Sequence, residues 1–266
     1  MQRYLERIGH SRDVRPDLAT LRSLHRAHAT TIPFEALDVQ LGMVPSLDPE
    51  AIFDKLVERR RGGWCYEMNG LMGAALEAIG FPVMRVACGV MRQEGGDERM
   101  GTHLALLVEC DGTWLCDVGF GGSLLEPLPL GTGERKDAIY TVALNQTDDG
   151  YWRFTEAVAA PFGYDFRAIP ADEALLVAKR DWQATHPESN FTLNFVAHQR
   201  QPDRHLVLRG RVLTERRPEG ATTHTIADAD EFVATLAGRL GINEPRAKDI
   251  WPRVCARHAE LFDAAA

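Results

Sequence analysis

Cys65, His103 and Asp117 are the three residues in this sequence whose types would together make a nucleophile. In such a set the thiol attacks, the imidazole takes its proton, and the carboxylate fixes the imidazole tautomer and stabilises the positive charge. Cys65 lies in Arg61-Gly62-Gly63-Trp64-Cys65-Tyr66-Glu67-Met68-Asn69-Gly70. The two glycines end one helix and turn the backbone sharply. From Cys65 onward Met68, Leu71, Met72, Ala75, Leu76 and Ile79 recur at three- and four-residue steps, which predicts a buried helix stopped by Gly80 and Pro82. A cysteine in a first helical turn faces unpaired N–H groups and the positive end of the macrodipole, and both favour negative charge there. Cysteines equally serve as inert buried hydrophobes, so placement alone leaves both readings open.

His103 and Asp117 fall on two strand-like runs, Gly101–Glu109 and Trp114–Gly122, separated by the turn signal Cys110-Asp111-Gly112. Pairing as a hairpin makes the register decisive. A two-residue Asp-Gly loop sets His103 opposite Phe120 and puts Asp117 on the other face of the sheet. A three-residue loop with Gly112 in the left-handed region shifts the pairing by one and sets His103 diagonal to Asp117 on one face. The odd-length loop is the expectation. Taken singly, His103 also reads as a structural strand histidine and Asp117 as a strand terminator. The run Gly119-Phe120-Gly121-Gly122 suits either an anion-binding turn or a sheet corner.

The elements that must position these residues follow the hydrophobic spacing. A helix is predicted from Pro16 to His28, with Pro16 in its first turn, and another after Asp48-Pro49, which reads as an N-cap followed by proline. With the Cys65 helix they form a helical N-terminal part. After Pro82 the pattern turns to strands: Val83–Met91, Thr102–Val108, Trp114–Val118, Ile139–Leu144 and Tyr151–Thr155. A helix is expected from Ala171 to Ala184, then strands near Leu193–Ala197, His205–Leu208 and Arg211–Thr214. Two helices close the chain, one capped by Asp228 with Glu231 at its third position and ending at Gly241, the other from about Asp249 to Phe262.

Composition narrows the function class. With 266 residues, several subdomains sharing a cleft are expected. A formal charge of −8 argues against general nucleic-acid or anionic-membrane binding. Five cysteines without a C-x-x-C pair suggest neither a zinc site nor a disulfide framework, and a reducing cytoplasm fits them best. The N-terminus lacks an apolar leader, and no run is long enough to span a bilayer. Arg200, Arg204, Arg209, Arg211, Arg216 and Arg217 form the richest local supply of cations, read first as solvated strand faces. Arg61 and Glu35 are either an ion pair bracing the loop before Cys65 or two exposed charges.

Several segments together resemble the arylamine N-acetyltransferase family. The catalytic motifs are matched by Arg61–Asn69, by Thr102-His103-Leu104 and by Asp117-Val118-Gly119-Phe120-Gly121. His28-Ala29-Thr30-Thr31-Ile32-Pro33-Phe34-Glu35 is similar to the family's H-x-x-x-I-P-F-E-N box, His186–Phe191 to its H-P-x-S-x-F, and Leu240-Gly241-Ile242 to its hydrophobic-glycine pattern. Ala36 stands where the box usually has Asn.

The resemblance implies an α+β fold: a helical bundle over 1–81 carrying the nucleophile, an antiparallel β-barrel over 82–187 carrying His and Asp, and an α/β lid over 188–266. Its catalytic core would be papain- or transglutaminase-like. It implies a ping-pong transfer of acetyl from acetyl-CoA through Cys65 to an arylamine, hydrazine or arylhydroxylamine, with no metal or prosthetic group. The loop at Phe120, Gly121 and Gly122 would bind CoA and acceptor, Phe120 would line the arylamine pocket, and Thr102 would contact ligand. An amide synthase of the same family, closing a polyketide chain onto an aromatic amine, keeps the same triad, as does a cysteine hydrolase.

Overall fold

The computed structural model describes every residue except 12, 123, 158–160 and 263–266. The N-terminal part comprises α1 (Gln2–Arg7), α2 (Leu18–Thr31), the two-residue strand β1 (Phe34–Glu35), α3 (Leu37–Gln40), α4 (Pro49–Phe53) and α5 (Cys65–Ile79). Asp17 caps α2 by accepting the Thr20 amide at 2.8 Å, so Pro16 precedes the helix instead of opening it. Asp48 caps α4 as its sequence predicts, with Pro49 in the first turn. Beyond Phe53 the helix widens into a π-turn over Asp54–Glu58, which carries Lys55 inward.

The middle of the chain forms β2 (Val83–Val90), α6 (Arg92–Gly95), β3 (His103–Glu109), β4 (Thr113–Cys116), β5 (Leu128–Pro129), β6 (Gly133–Lys136), β7 (Thr141–Gln146), β8 (Trp152–Ala157) and β9 (Pro161–Phe166). Together they make one antiparallel sheet in the order β5-β4-β3-β2-β9-β8-β7-β6. Among the described residues its end strands β5 and β6 are not hydrogen-bonded to one another, so the expected barrel is present as a curled, partly open antiparallel sheet. The edges explain this: β5 is two residues long, and β6 is exposed at every position, so the ends of the sheet offer little to pair with.

The last third contains α7 (Glu173–Thr185), α8 (Asn190–Leu193), β10 (Val196–Arg200), β11 (His205–Arg209), β12 (Val212–Arg217), β13 (Gly220–Thr225), α9 (Ala229–Leu240) and α10 (Trp251–Phe262). A second antiparallel sheet runs β1-β10-β11-β12-β13, drawing its first strand from the N-terminal part.

Alternation along the strands divides the cores. Leu106, Val108 and Cys116 pack on the N-terminal helices, while Ala105, Leu107 and Leu115 face the other way, onto Phe154, Tyr164 and Phe166. In the second sheet Ala197, Leu206, Leu208 and Leu213 pack against α9 and α10, and the residues between them line a cavity of about 1150 Å³. All five cysteines are free. Among the described residues no helix is long and apolar enough to cross a membrane.

Candidate active site

The cavity opens onto the N-terminus of α5, where Cys65 is the first helical residue, with 4% of its surface exposed. Its approach loop is sewn to β1: the Glu35 amide donates to the Gly63 carbonyl at 3.0 Å and the Gly63 amide to that of Pro33 at 3.2 Å. Only glycine fits here. A Cβ on Gly62 would lie 2.3 Å from the Pro33 oxygen, and one on Gly63 would lie 2.9 Å from the Glu67 side chain. Glu67, in the first turn of α5, accepts the Trp64 amide at 3.2 Å, which caps the helix from within.

Beneath this turn lies a buried charge network. Lys55 Nζ sits 2.9 Å from Glu67 Oε1 and 2.7 Å from Asp38 Oδ2. Arg61 bonds Glu35 at 2.6 Å, Asp38 at 3.0 Å and Glu244 at 2.6 Å. The Arg61–Glu35 pair is thus formed and buried. Burial raises the Glu67 pKa to about 7, against the opposing pull of Lys55. Glu35 also accepts the Leu37 amide at 2.7 Å, taking the capping role at α3 that Ala36 has no side chain to fill.

The hairpin has the odd-length loop. Glu109 pairs with Thr113 across Cys110-Asp111-Gly112, with Asp111 at φ 49° and Gly112 at φ 119°. His103 and Asp117 consequently share a face, and His103 Nε2 donates to Asp117 Oδ2 at 2.8 Å. The other ring nitrogen is left for the Cys65 sulfur, whose interaction with the imidazole favours the protonated ring. Burial by itself lowers the His103 pKa, but the Asp117 charge and hydrogen bond outweigh it and raise the value to about 10. Burial likewise pushes Asp117 up, and His103 and the surrounding donors more than reverse this, holding the carboxyl low.

Asp117 is gripped from several sides. Asn69 Nδ2 and the Gly119 amide donate to its Oδ1 at 2.8 and 2.9 Å, and the Val118 amide donates to Asn69 Oδ1 at 3.0 Å. Its own amide donates to His25 Nε2 at 3.1 Å, which requires a neutral imidazole; burial lowers the His25 pKa to about 4. Tyr164 packs on His103 with ring centroids 4.8 Å apart. Its buried hydroxyl helps hold the Asp117 pKa down without making a well-formed hydrogen bond. Gly119 permits the close approach, since a Cβ there would lie 2.7 Å from the Cys65 Cα.

Among the other expected residues, Thr102, Phe120 and Gly121 line the cavity. The Thr102 hydroxyl is engaged locally, donating to the Arg99 carbonyl at 2.7 Å and accepting the Val90 amide at 3.1 Å. Phe120 meets His103 edge-on at 5.2 Å and stacks on Phe162 at 5.1 Å. Gly122 is not part of the lining: it turns back against β10 and β11, where a Cβ would meet Arg200 at 2.9 Å and His205 at 3.3 Å. Asn69, Lys55 and Glu67 went unassigned from sequence. Asn69 carried a usable signal, lying four residues beyond Cys65 and therefore on the same helical face.

A mixed α/β fold with thiol, imidazole and carboxylate set in one buried row is an arrangement able to support nucleophilic chemistry at sulfur. Comparison with known proteins narrows the class. Residues 17–248 match the family model described as N-acetyltransferase. The chain is 37% identical to an arylamine N-acetyltransferase of Mycolicibacterium smegmatis, covering 98% of this chain and 97% of that protein. Its fold superposes on the arylamine N-acetyltransferase of Mycobacterium marinum with a TM-score of 0.86, at 35% identity and covering 96% and 97% of the two chains. The same enzyme solved in complex with CoA gives 0.85 at 35% identity over the same shares of the two chains. The chain belongs to the arylamine N-acetyltransferase family.

Proposed function

We propose that this enzyme moves the acetyl group of acetyl-CoA to an arylamine, hydrazine or arylhydroxylamine through an acetyl-Cys65 intermediate. The observation that carries the mechanism is the buried row in which Cys65 acts on His103 and His103 Nε2 donates to Asp117. His103 takes the thiol proton, and the raised pKa of the imidazole stabilises the resulting imidazolium. The Cys65 sulfur then attacks the thioester carbonyl, the bond to the CoA sulfur breaks, and that sulfur leaves with the proton from His103. Exchanging one thioester for another changes little in free energy, so both half-reactions can run. In the second, the amine nitrogen attacks acetyl-Cys65, His103 accepts its proton, and the thiol is restored.

Asp117 holds the imidazole tautomer in both directions, in the manner of papain-like sites. Phe34, Phe120, Phe162 and Phe191 give the cavity aromatic walls suited to a flat acceptor ring. An unpaired thiol nucleophile and four further free cysteines suit a reducing compartment, so we assign the enzyme to the cytoplasm.

Intact mass after brief incubation with acetyl-CoA tests this reading. One acetyl adduct is expected on the native protein, none on Cys65→Ala, and the adduct should vanish when an arylamine is added. An adduct that persists in Cys65→Ala, or that water removes as fast as the amine does, overturns it.

A further inference from the structure

The six arginines that cluster in the sequence of the last third do not share one fate. Arg200 bonds Asp137 at 2.7 Å, Arg204 bonds Gln201 at 2.7 Å, Arg211 bonds the Ile226 carbonyl at 3.0 Å, and Arg217 bonds Glu215 at 2.7 Å. Arg209 and Arg216 make no ion pair among the described residues, and both line the Cys65 cavity. Arg253 of α10 joins them on the same terms. With Arg99 they make four cations on the lining without an ion pair among the described residues, while Glu94, Glu156 and Glu188 line it elsewhere; Arg209 and Arg216 stand together on its floor, where one anion can meet both.

Strand register sets the geometry. His198, Val207 and Thr214 form the middle row of the sheet face that floors the cavity. Arg216, opposite His205, and Arg209, opposite Val212, stand at its two ends. Four residues of strand separate these rows, roughly 13 Å, a span that two long side chains reaching inward can cover. Both charges bear on His198 between them: burial first, and then Arg209 and Arg216, lower its pKa to about 3, so the floor centre stays neutral under a positive field. The Val254 side chain of α10 lies 4.0 Å from where a Gly210 Cβ would stand, which brings Arg253 beside the Arg209 end.

We infer that Arg209, Arg216 and Arg253 form the cradle for the phosphates of the CoA donor, on the floor of the cavity whose wall carries Cys65. The inference rests on the reading of a CoA thioester as donor and adds which side chains hold its charged half. Free pantetheine has the same thiol arm and no such charge, so it separates the cradle from the rest of the cavity.

The test is equilibrium binding of CoA and of pantetheine, under reducing conditions, to the native enzyme, to Arg209→Gln/Arg216→Gln and to Arg253→Gln. CoA should bind the double variant on the order of tenfold or more weakly, with a smaller loss for Arg253→Gln, while pantetheine affinity stays within about twofold. The salt dependence of CoA binding should flatten in the double variant. Equal weakening of both ligands, or CoA affinity untouched by the double substitution, overturns the cradle. Should acetyl-CoA leave no adduct on Cys65 while the arginines still discriminate CoA from pantetheine, the acyl-transfer scheme fails and the cradle stands.

Discussion

At the junction of α5 with the β3–β4 hairpin, one carboxylate, Asp117, accepts from His103, Asn69 and the Gly119 amide. Across the cavity, Arg209, Arg216 and Arg253 have no acidic partner among the described residues. The difference follows from what each side must do. On the proposed mechanism the reacting thiol tolerates little displacement, which fits a wall that ties down the groups around it with short, desolvated bonds. A floor that receives a charged ligand must leave its cations free until the ligand arrives, because a resident carboxylate would compete for them. Histidines reveal the same division: His103 in the wall is raised to about 10 by its partner, and His198 in the floor is lowered to about 3.

The sharpest way to break the comparison is to loosen the wall at its centre. In Asp117→Asn the side-chain oxygen can still face Asn69 and Gly119, but an NH₂ then meets His103 Nε2 and forces the opposite tautomer. Turnover should fall on the order of a thousandfold or more, by analogy with a triad acid replaced by its amide. CoA affinity, held by the floor, should change little. Activity within tenfold of the native enzyme would mean that the row is not the working part of the wall.

Lys55→Met asks the same question of stability. It removes the cation between Glu67 and Asp38 and leaves buried carboxylates facing one another, at a cost of about 3–5 kcal/mol in urea unfolding. Arg209→Gln on the floor should change stability by about 0.5 kcal/mol or less, since the side chain is exposed and has no partner to orphan. Comparable losses from the two substitutions would erase the distinction.

How much of this was legible in the sequence tracks which interactions are local. The Cys65 helix, the Asp48 and Asp228 caps and the hairpin register follow from spacing within about fifteen residues. The strands β6 and β13 went unread because they are exposed along their whole length and carry no alternation. The barrel was legible as a curled antiparallel sheet but not in how far it closes, because closure depends on edges that local pattern does not describe. Nothing local marks Lys55 as buried; the π-turn swings it inward. Likewise nothing local separates Arg209 and Arg216 from Arg211 and Arg217; the register of three strands and the seat of α10 do.

The smallest effect concerns His25, which serves the wall from behind. Its Nε2 accepts the Asp117 amide only while the ring is neutral, and its pKa is lowered to about 4 by burial from an unfolded value near 6.5. Between those values the unfolded chain binds a proton that the folded protein does not, so stability falls as pH falls from 6.5 towards 4. From pH 7.0 to 5.5 the loss is about 1 kcal/mol for this one histidine. Glu67 works in the opposite sense over the same window, because its folded pKa near 7 lies above its unfolded value. The native protein's total change therefore mixes both signs, and the informative quantity is the difference between native protein and His25→Gln. Glutamine keeps an oxygen for the Asp117 amide and has no proton to gain. Urea midpoints at the two pH values should show a stability loss about 1 kcal/mol smaller in the variant, with turnover at pH 7.5 within about threefold of native. His25→Leu, which removes the acceptor, should lower turnover much further. If the pH-dependent losses of native protein and His25→Gln coincide, the imidazole is not held neutral and the wall's rear support lies elsewhere.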